Sequence, residues 1–399
     1  AIVRQRELNF APGDEHLYSN SGYFLLSVIA ERASGTPLRQ LARERIFAPL
    51  GMTRTHVLED YAAVVPDRAL AYAPRREGGY RMDVSRWLQT GDGAVFSTVE
   101  ELLLWDRNFY DPRVGGQALL TELHTVGRLA SGRELEYASG LGVSRYRGLR
   151  VVMHSGAWGG YRAELVRFPD ARFSTAVLCN VASSDPSRLA RSIAEIYLED
   201  RMEPAPARPA PAAAQAAAAP AAPAVQMAPE RLQALAGMYR EPVTRATRTL
   251  TVDGGRLYVG AANRFELRPV SETEFQAVGA PVEMWVRFEP GRLVWTQVGG
   301  EPQAFEKLAL VTPTPEELAA YAGRYFSEEL QATYTLAVEN GTLTVHRRGG
   351  DPTPLRPLVR DEFSAGPTLR FVRDASGALT GFMLDAGRVR NLRFERVAG

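Results

Sequence analysis

At 399 residues, with 45% hydrophobic and 23% charged side chains, the chain has globular proportions and room for about two to four domains. A formal net charge of +1 supplies no basic field for nucleic acid or an anionic membrane, and no apolar run approaches the ~20 residues that span a bilayer. The single cysteine, Cys179, sits in an apolar run and rules out an internal disulfide. Of the 47 basic residues 46 are arginine; Lys307 is the one lysine.

The sequence opens on Ala1, without a methionine or the apolar core of an export signal, and reads as a start cut from a longer chain. Ser19-Asn20-Ser21 predicts the N-cap of a helix whose apolar face is Tyr23, Leu26, Ile29 and Ala30, stopping near Gly35. Leu38 through Ile46 predicts a second helix. Ser97-Thr98-Val99-Glu100-Glu101 caps a third that runs through Trp105 and Phe109. The period then changes to two. Gly140–Val143, Arg150–His154, Tyr161–Phe168 and Phe173–Leu178 predict consecutive strands, with a tight turn at Pro169–Arg172 and a closing helix from Ser187 to Leu198. Residues 1–202 thus predict an α+β domain, an antiparallel sheet flanked by helices, lacking its opening segments.

Residues 203–230 form a Pro/Ala tract that predicts a semi-extended linker. Beyond it lies an internal repeat. Leu235-Ala236-Gly237-Met238-Tyr239 returns as Tyr321-Ala322-Gly323-Arg324-Tyr325, and Leu250 through Leu257 returns as Leu336 through Leu343 at the same offset of 86. Phe305-Glu306-Lys307-Leu308 returns as Phe394-Glu395-Arg396-Val397. Asp253-Gly254 and Asn340-Gly341 predict hairpin turns. Each copy, 231–310 and 311–399, predicts about eight short strands and a small lipocalin-like antiparallel barrel.

Two short stretches carry candidate chemistry: Leu17-Tyr18-Ser19-Asn20-Ser21-Gly22 and Met153-His154-Ser155-Gly156-Ala157-Trp158. Taken alone, the first reads more readily as a helix cap beside a packing ring, and the second equally well as a polar strand end. The other histidines show no metal-ligand spacing, and neither a Gly-x-Ser-x-Gly elbow nor a phosphate-binding Gly-rich loop occurs, so no metal or cofactor is expected. In order along the chain, Tyr18-Ser19-Asn20, Pro49-Leu50-Gly51-Met52-Thr53-Arg54-Thr55, Gly91-Asp92-Gly93-Ala94-Val95-Phe96-Ser97-Thr98, His154-Ser155-Gly156 and Arg162 through Asp170 resemble segments of the serine β-lactamase and penicillin-binding-protein superfamily. The His-x-Gly form and the C-terminal barrels resemble its esterases and D-amino-acid peptidases more than its lactam-specialised members.

The resemblance implies that Tyr18 relays the nucleophile's proton, that Asn20 and His154 orient substrate, and that Gly156 keeps a strand edge open beside Ser155. The Ala157 N–H would be one oxyanion donor. It also implies a Ser-x-x-Lys carrying the nucleophile and its base. This chain has none, because the residue three before Lys307 is Ala304. The expectation is therefore a fragment of a serine hydrolase acting on an ester or amide of a small molecule or peptide, inactive as it stands, with export to the periplasm or outside implied by resemblance. The alternative is a non-catalytic binding protein for peptide or cell-wall ligands. Oligomerisation through the barrels fits either.

Overall fold

The computed structural model describes residues 2–58, 60–75, 77–86, 90–204, 227–260, 264–278, 284–297 and 302–398. Most of the expected Pro/Ala linker lies outside the described residues. The chain divides into two compact units, Phe10–Ala205 and Ala1–Asn9 with Pro206–Gly399.

In the first unit, helix α1 (Asn20–Ser34) begins where its cap predicts: the Ser19 side chain accepts from the Gly22 N–H at 3.1 Å, and Gly35 ends it in the left-handed region at φ 66°. Its burial differs from the expected face. Leu26 and Ile29 are 54% and 59% exposed, whereas Ser27 is buried. The reason is a close approach: the Ser27 hydroxyl donates to Phe24 O and Thr90 O, and a Cβ on Gly91 would meet Ser27 at 2.5 Å. The small side chain therefore takes the contact.

The second predicted helix is broken into α2 (Leu38–Ala42), a π-turn at Arg43–Phe47 and a last turn at Ala48–Leu50, ended by Gly51. Next come α3 (Val99–Arg107), capped by Thr98, and α4 (Gly116–Leu123), which no sequence pattern predicted. The sheet is a meander of β1 (Gly142–Tyr146), β2 (Leu149–Trp158), β3 (Tyr161–Phe168) and β4 (Phe173–Cys179), paired in that order. Helix α5 (Pro186–Leu198) lays Ala190, Ala194 and Leu198 on Val151, Val166 and Phe168, the core of this sheet. On the other face, Arg167 is buried against Asp106 at 2.5 Å, and its guanidinium lies 3.8 Å above the Phe109 ring.

In the second unit, α6 (Pro229–Leu235) precedes eight strands: β5 (Gly237–Arg240), β6 (Thr247–Asp253), β7 (Arg256–Val259), β8 (Phe265–Pro269), β9 (Glu274–Val278), β10 (Met284–Glu289), β11 (Arg292–Gln297) and β12 (Gln303–Lys307). They close into a barrel through the β12–β5 pairing. Phe275, Leu293 and Phe305 are fully buried in its interior, packed with Leu250, Leu257 and Leu267, as expected of an eight-stranded barrel whose interior is filled by side chains. Helix α7 (Pro315–Tyr321), with a full capping box at Thr314 and Glu317, opens the second copy.

That copy comprises β13 (Gly323–Ser327), β14 (Ala332–Glu339), β15 (Thr342–Arg347), β16 (Thr353–Pro354), β17 (Arg356–Pro357), β18 (Glu362–Ser364), β19 (Thr368–Arg373), β20 (Leu379–Ala386) and β21 (Val389–Val397). They form a nine-stranded sheet whose two ends, β16 and β17, flank Leu355, so it is nearly closed.

The repeated Ala-Gly-x-Tyr motif has one job in both copies. Tyr239 and Tyr325 each donate a hydroxyl to the helix four residues back, to Leu235 O at 2.9 Å and Tyr321 O at 2.8 Å. Gly237 and Gly323 adopt φ 139° and 147°, where a Cβ would meet Lys307 Cε at 2.9 Å and Arg396 Nε at 3.2 Å. One predicted turn shifts by a residue: Asp253 pairs with Arg256 and closes the ladder, leaving Gly254 and Gly255 (φ 54° and 74°) as the central pair. Asn340-Gly341 takes the place the sequence assigned to it.

Candidate active site

The Ser19 cap fixes the direction in which the chain enters α1, and so fixes Tyr18 just before it. His154 stands on β2 at the first position beyond the reach of β1, whose last pair is Gly142 with Met153. These two residues meet: their ring centroids are 6.0 Å apart. A third ring joins them. Tyr137, from the loop before β1, lies 6.0 Å from Tyr18 edge-on and 6.2 Å from His154.

The hydrogen bonds give His154 a definite tautomer. Its Nδ1 is 2.7 Å from the Ser155 carbonyl, which can only accept, so Nδ1 carries the hydrogen. The Tyr137 hydroxyl lies 3.2 Å from Nε2 and donates to it when the ring is neutral. Burial, reinforced by the neighbouring Tyr23 and Tyr18 phenols, raises the Tyr137 pKa well above the ordinary tyrosine value and keeps it a donor. Sequence reasoning did not single out Tyr137. The only local signal is an aromatic residue in a Gly/Ser-containing loop just before a strand, too common a pattern to act on.

Two tight turns decide where the backbone of β2 points. The Tyr146↔Leu149 and Trp158↔Tyr161 pairs each close a two-residue hairpin loop, so both are hydrogen-bonded pairs. Counting by two, residues 149 to 157 in odd steps address the β1 side and residues 150 to 158 in even steps address β3. Beyond Met153 no strand among the described residues covers the β1 side. The Ser155 and Ala157 N–H groups therefore face an open edge, and the Ser155 carbonyl there is taken by His154.

Side chains alternate accordingly. Gly156 shares the face of His154, whereas Ser155 and Ala157 turn toward the face of Glu164, which lies opposite Ser155 in register. Glu164 is 2% exposed and accepts from the Ser187 hydroxyl through Oε2, while Oε1 has no partner among the described residues. Burial raises its pKa above the ordinary carboxylate value.

Asn20, the first residue of α1, is exposed and is not gathered into the ring cluster. An apolar cleft of about 420 Å³ opens on the Tyr18 side, walled by His16, Tyr18, Ser19, Tyr23, Leu26 and Tyr137. Lys307 lies on a strand of the other unit, where its ammonium donates to Ala234 O at 2.5 Å. Among the described residues no group of three or more His, Cys, Asp or Glu could hold a metal ion. The arrangement gathers two phenols and an imidazole, joined by the Tyr137–His154 hydrogen bond and otherwise by ring contact, next to backbone donors on an open strand edge.

The Beta-lactamase family model matches residues 1–198. A D-aminopeptidase of Gluconobacter oxydans (strain 621H) is 25% identical over 98% of this chain and 73% of its own length. A D-aminopeptidase of Brucella ovis is 24% identical over 99% of this chain and 74% of its own. Among solved structures, the octameric penicillin-binding protein homologue from Pyrococcus abyssi is 20% identical with a TM-score of 0.46, covering 74% of this chain and 66% of that one.

Proposed function

Because residues 1–198 belong to the β-lactamase and penicillin-binding-protein-like superfamily of serine hydrolases, we propose that this chain carries part of the active site of an enzyme that hydrolyses amide bonds beside a D-amino acid. The carrying observation is the Tyr18–His154–Tyr137 group at the uncovered edge of β2. The D-aminopeptidase relatives, similar over nearly the whole length, support the substrate class.

In this reading a serine Oγ from outside these 399 residues attacks the amide carbonyl. Its proton passes to the paired lysine and Tyr18, and from there to the departing amine nitrogen as the C–N bond breaks. The oxyanion is held by the Ala157 N–H and the serine's own N–H. His154, fixed by Ser155 O and Tyr137, holds the substrate on the Tyr18 face, and Asn20, exposed at the start of α1, orients it. Water then releases the acyl group. With Ala304 three residues before its only lysine, the chain by itself performs no turnover.

Fluorophosphonate labelling and hydrolysis of D-alanine p-nitroanilide test this. The chain as it stands should give neither. The same chain preceded in frame by a Ser-x-x-Lys segment should give both, and there Tyr18→Phe should lower kcat by about 10²-fold or more. Labelling of a serine within these residues would sink the claim that the nucleophile lies elsewhere.

A further inference from the structure

The hydrogen bonds of His154 leave its ring no donor for a substrate. The Ser155 carbonyl, 2.7 Å from Nδ1, can only accept, so it takes the Nδ1 hydrogen. The Tyr137 phenol lies 3.2 Å from Nε2. With the ring neutral, Nε2 accepts from that phenol. With the ring protonated, the Nε2 hydrogen goes to the phenol oxygen instead. Both nitrogens are spent on the protein in either state.

Tyr137 is pinned where it does this. Its carbonyl accepts from the Gly127 N–H at 2.9 Å, and the next residue, Ala138, donates to Leu141 O at 2.8 Å. The His16 ring packs on it at 5.3 Å, and the Tyr18 ring meets it edge-on at 6.0 Å. Burial raises its pKa above the ordinary tyrosine value, so the phenol keeps its hydrogen beside the imidazole. The cleft on the Tyr18 side adds no arginine or lysine to its walls. A carboxylate brought to His154 therefore leaves water without gaining a charged N–H donor from it, a loss that a neutral amide avoids. With the ring neutral, the phenol oxygen turns only lone pairs outward, which suits an amide N–H.

We propose that Tyr137 determines the specificity of this site: by occupying His154 Nε2 it turns away substrates that carry a carboxylate beside the scissile amide and admits neutral amides. The proposal rests on the hydrolase reading for the reaction, whereas the closing of Nε2 is independent of it.

Two forms of the protein test the two parts. In the chain as it stands, imidazole NMR with added D-alanyl-D-alanine should leave His154 and His16 unmoved. Tyr137→Phe, which frees Nε2 to become a donor on protonation, should give a saturable His154 shift. In the chain preceded by a Ser-x-x-Lys segment, kcat/KM for D-alanyl-D-alaninamide should exceed that for D-alanyl-D-alanine by about tenfold or more. Tyr137→Phe should shrink that ratio by about tenfold, through the KM of the dipeptide; a loss of stability alone would lower both substrates alike. Should Tyr137→Phe fail to fold by circular dichroism, Tyr137→Leu makes the same comparison. A saturable shift of either histidine in the unaltered chain, no His154 shift in the variant, or a substrate ratio near one or unchanged by the variant overturns the proposal. Cleavage of neither substrate sinks the hydrolase reading, and the NMR comparison then still decides whether Tyr137 closes His154 to a carboxylate.

Discussion

The two barrel repeats began from one pattern and close differently. In the first, Phe265–Pro269 is one unbroken strand with a single proline at its end, and eight strands close on themselves. In the second, the matching stretch Asp351-Pro352-Thr353-Pro354-Leu355-Arg356-Pro357 carries three prolines and splits into β16 and β17. Each proline removes an N–H from the ladder, so pairing survives only in short pieces and through the Leu355 N–H to Leu343 O at 2.8 Å. Closure of such a barrel is thus set by backbone donors more than by the core, since both interiors are fully packed.

If the cores are equivalent, truncating them should cost the same. Phe305→Ala and Phe394→Ala remove counterpart rings that are both fully buried, and each should destabilise its own barrel by about 3–5 kcal/mol. Hydrogen exchange read separately over 231–307 and 311–398 would show a large asymmetry if the cores are not equivalent. The glycines should separate the copies next. Gly237→Ala and Gly323→Ala both force a Cβ at positive φ, at a cost of about 1–3 kcal/mol. The first should cost more, because its contact is 2.9 Å against 3.2 Å. Equal costs would mean that both basic side chains move aside freely.

Tyr239→Phe and Tyr325→Phe each leave a helix carbonyl without its phenol donor, for roughly 1 kcal/mol apiece. Loss of protection confined to α6 or α7 is the expected readout. The smallest contrast is in acid. Asp361 accepts from Arg373 and from Tyr321, and the Arg373 guanidinium holds its carboxyl below the ordinary aspartate value in spite of desolvation. A depressed folded pKa stabilises the fold above the unfolded value and loses that contribution as pH falls through the folded one. The first repeat has Thr273 where Phe275 and Phe363 align, so the second should lose protection first as pH drops below about 4. Equal acid sensitivity would assign the effect to other carboxylates.

Local rules made much of this legible. Ser19 and Gly35 bracket α1, Thr98 starts α3, and the repeat offset found the second barrel, because caps, turns and strand alternation act over a few residues. The burial of α1 did not follow its period: the Gly91 backbone approaches Ser27 from far along the chain. Tyr18 and His154 were legible as motifs, but their meeting with Tyr137 depends on a loop path that no periodicity encodes.

The lone lysine has a consequence for how the molecule can be taken apart. A lysine-specific protease finds a single peptide bond to cut, Lys307–Leu308, in the stretch between the last strand of the first barrel and α7. Both flanking amides are engaged, Lys307 N–H with Gly291 O and Leu308 N–H with Met238 O, each at 2.8 Å. The bond becomes a substrate only when the seam of the first barrel opens. This one cut, which releases the second repeat whole, thus reports that opening: its population when reclosing is fast, its rate when the protease is in excess.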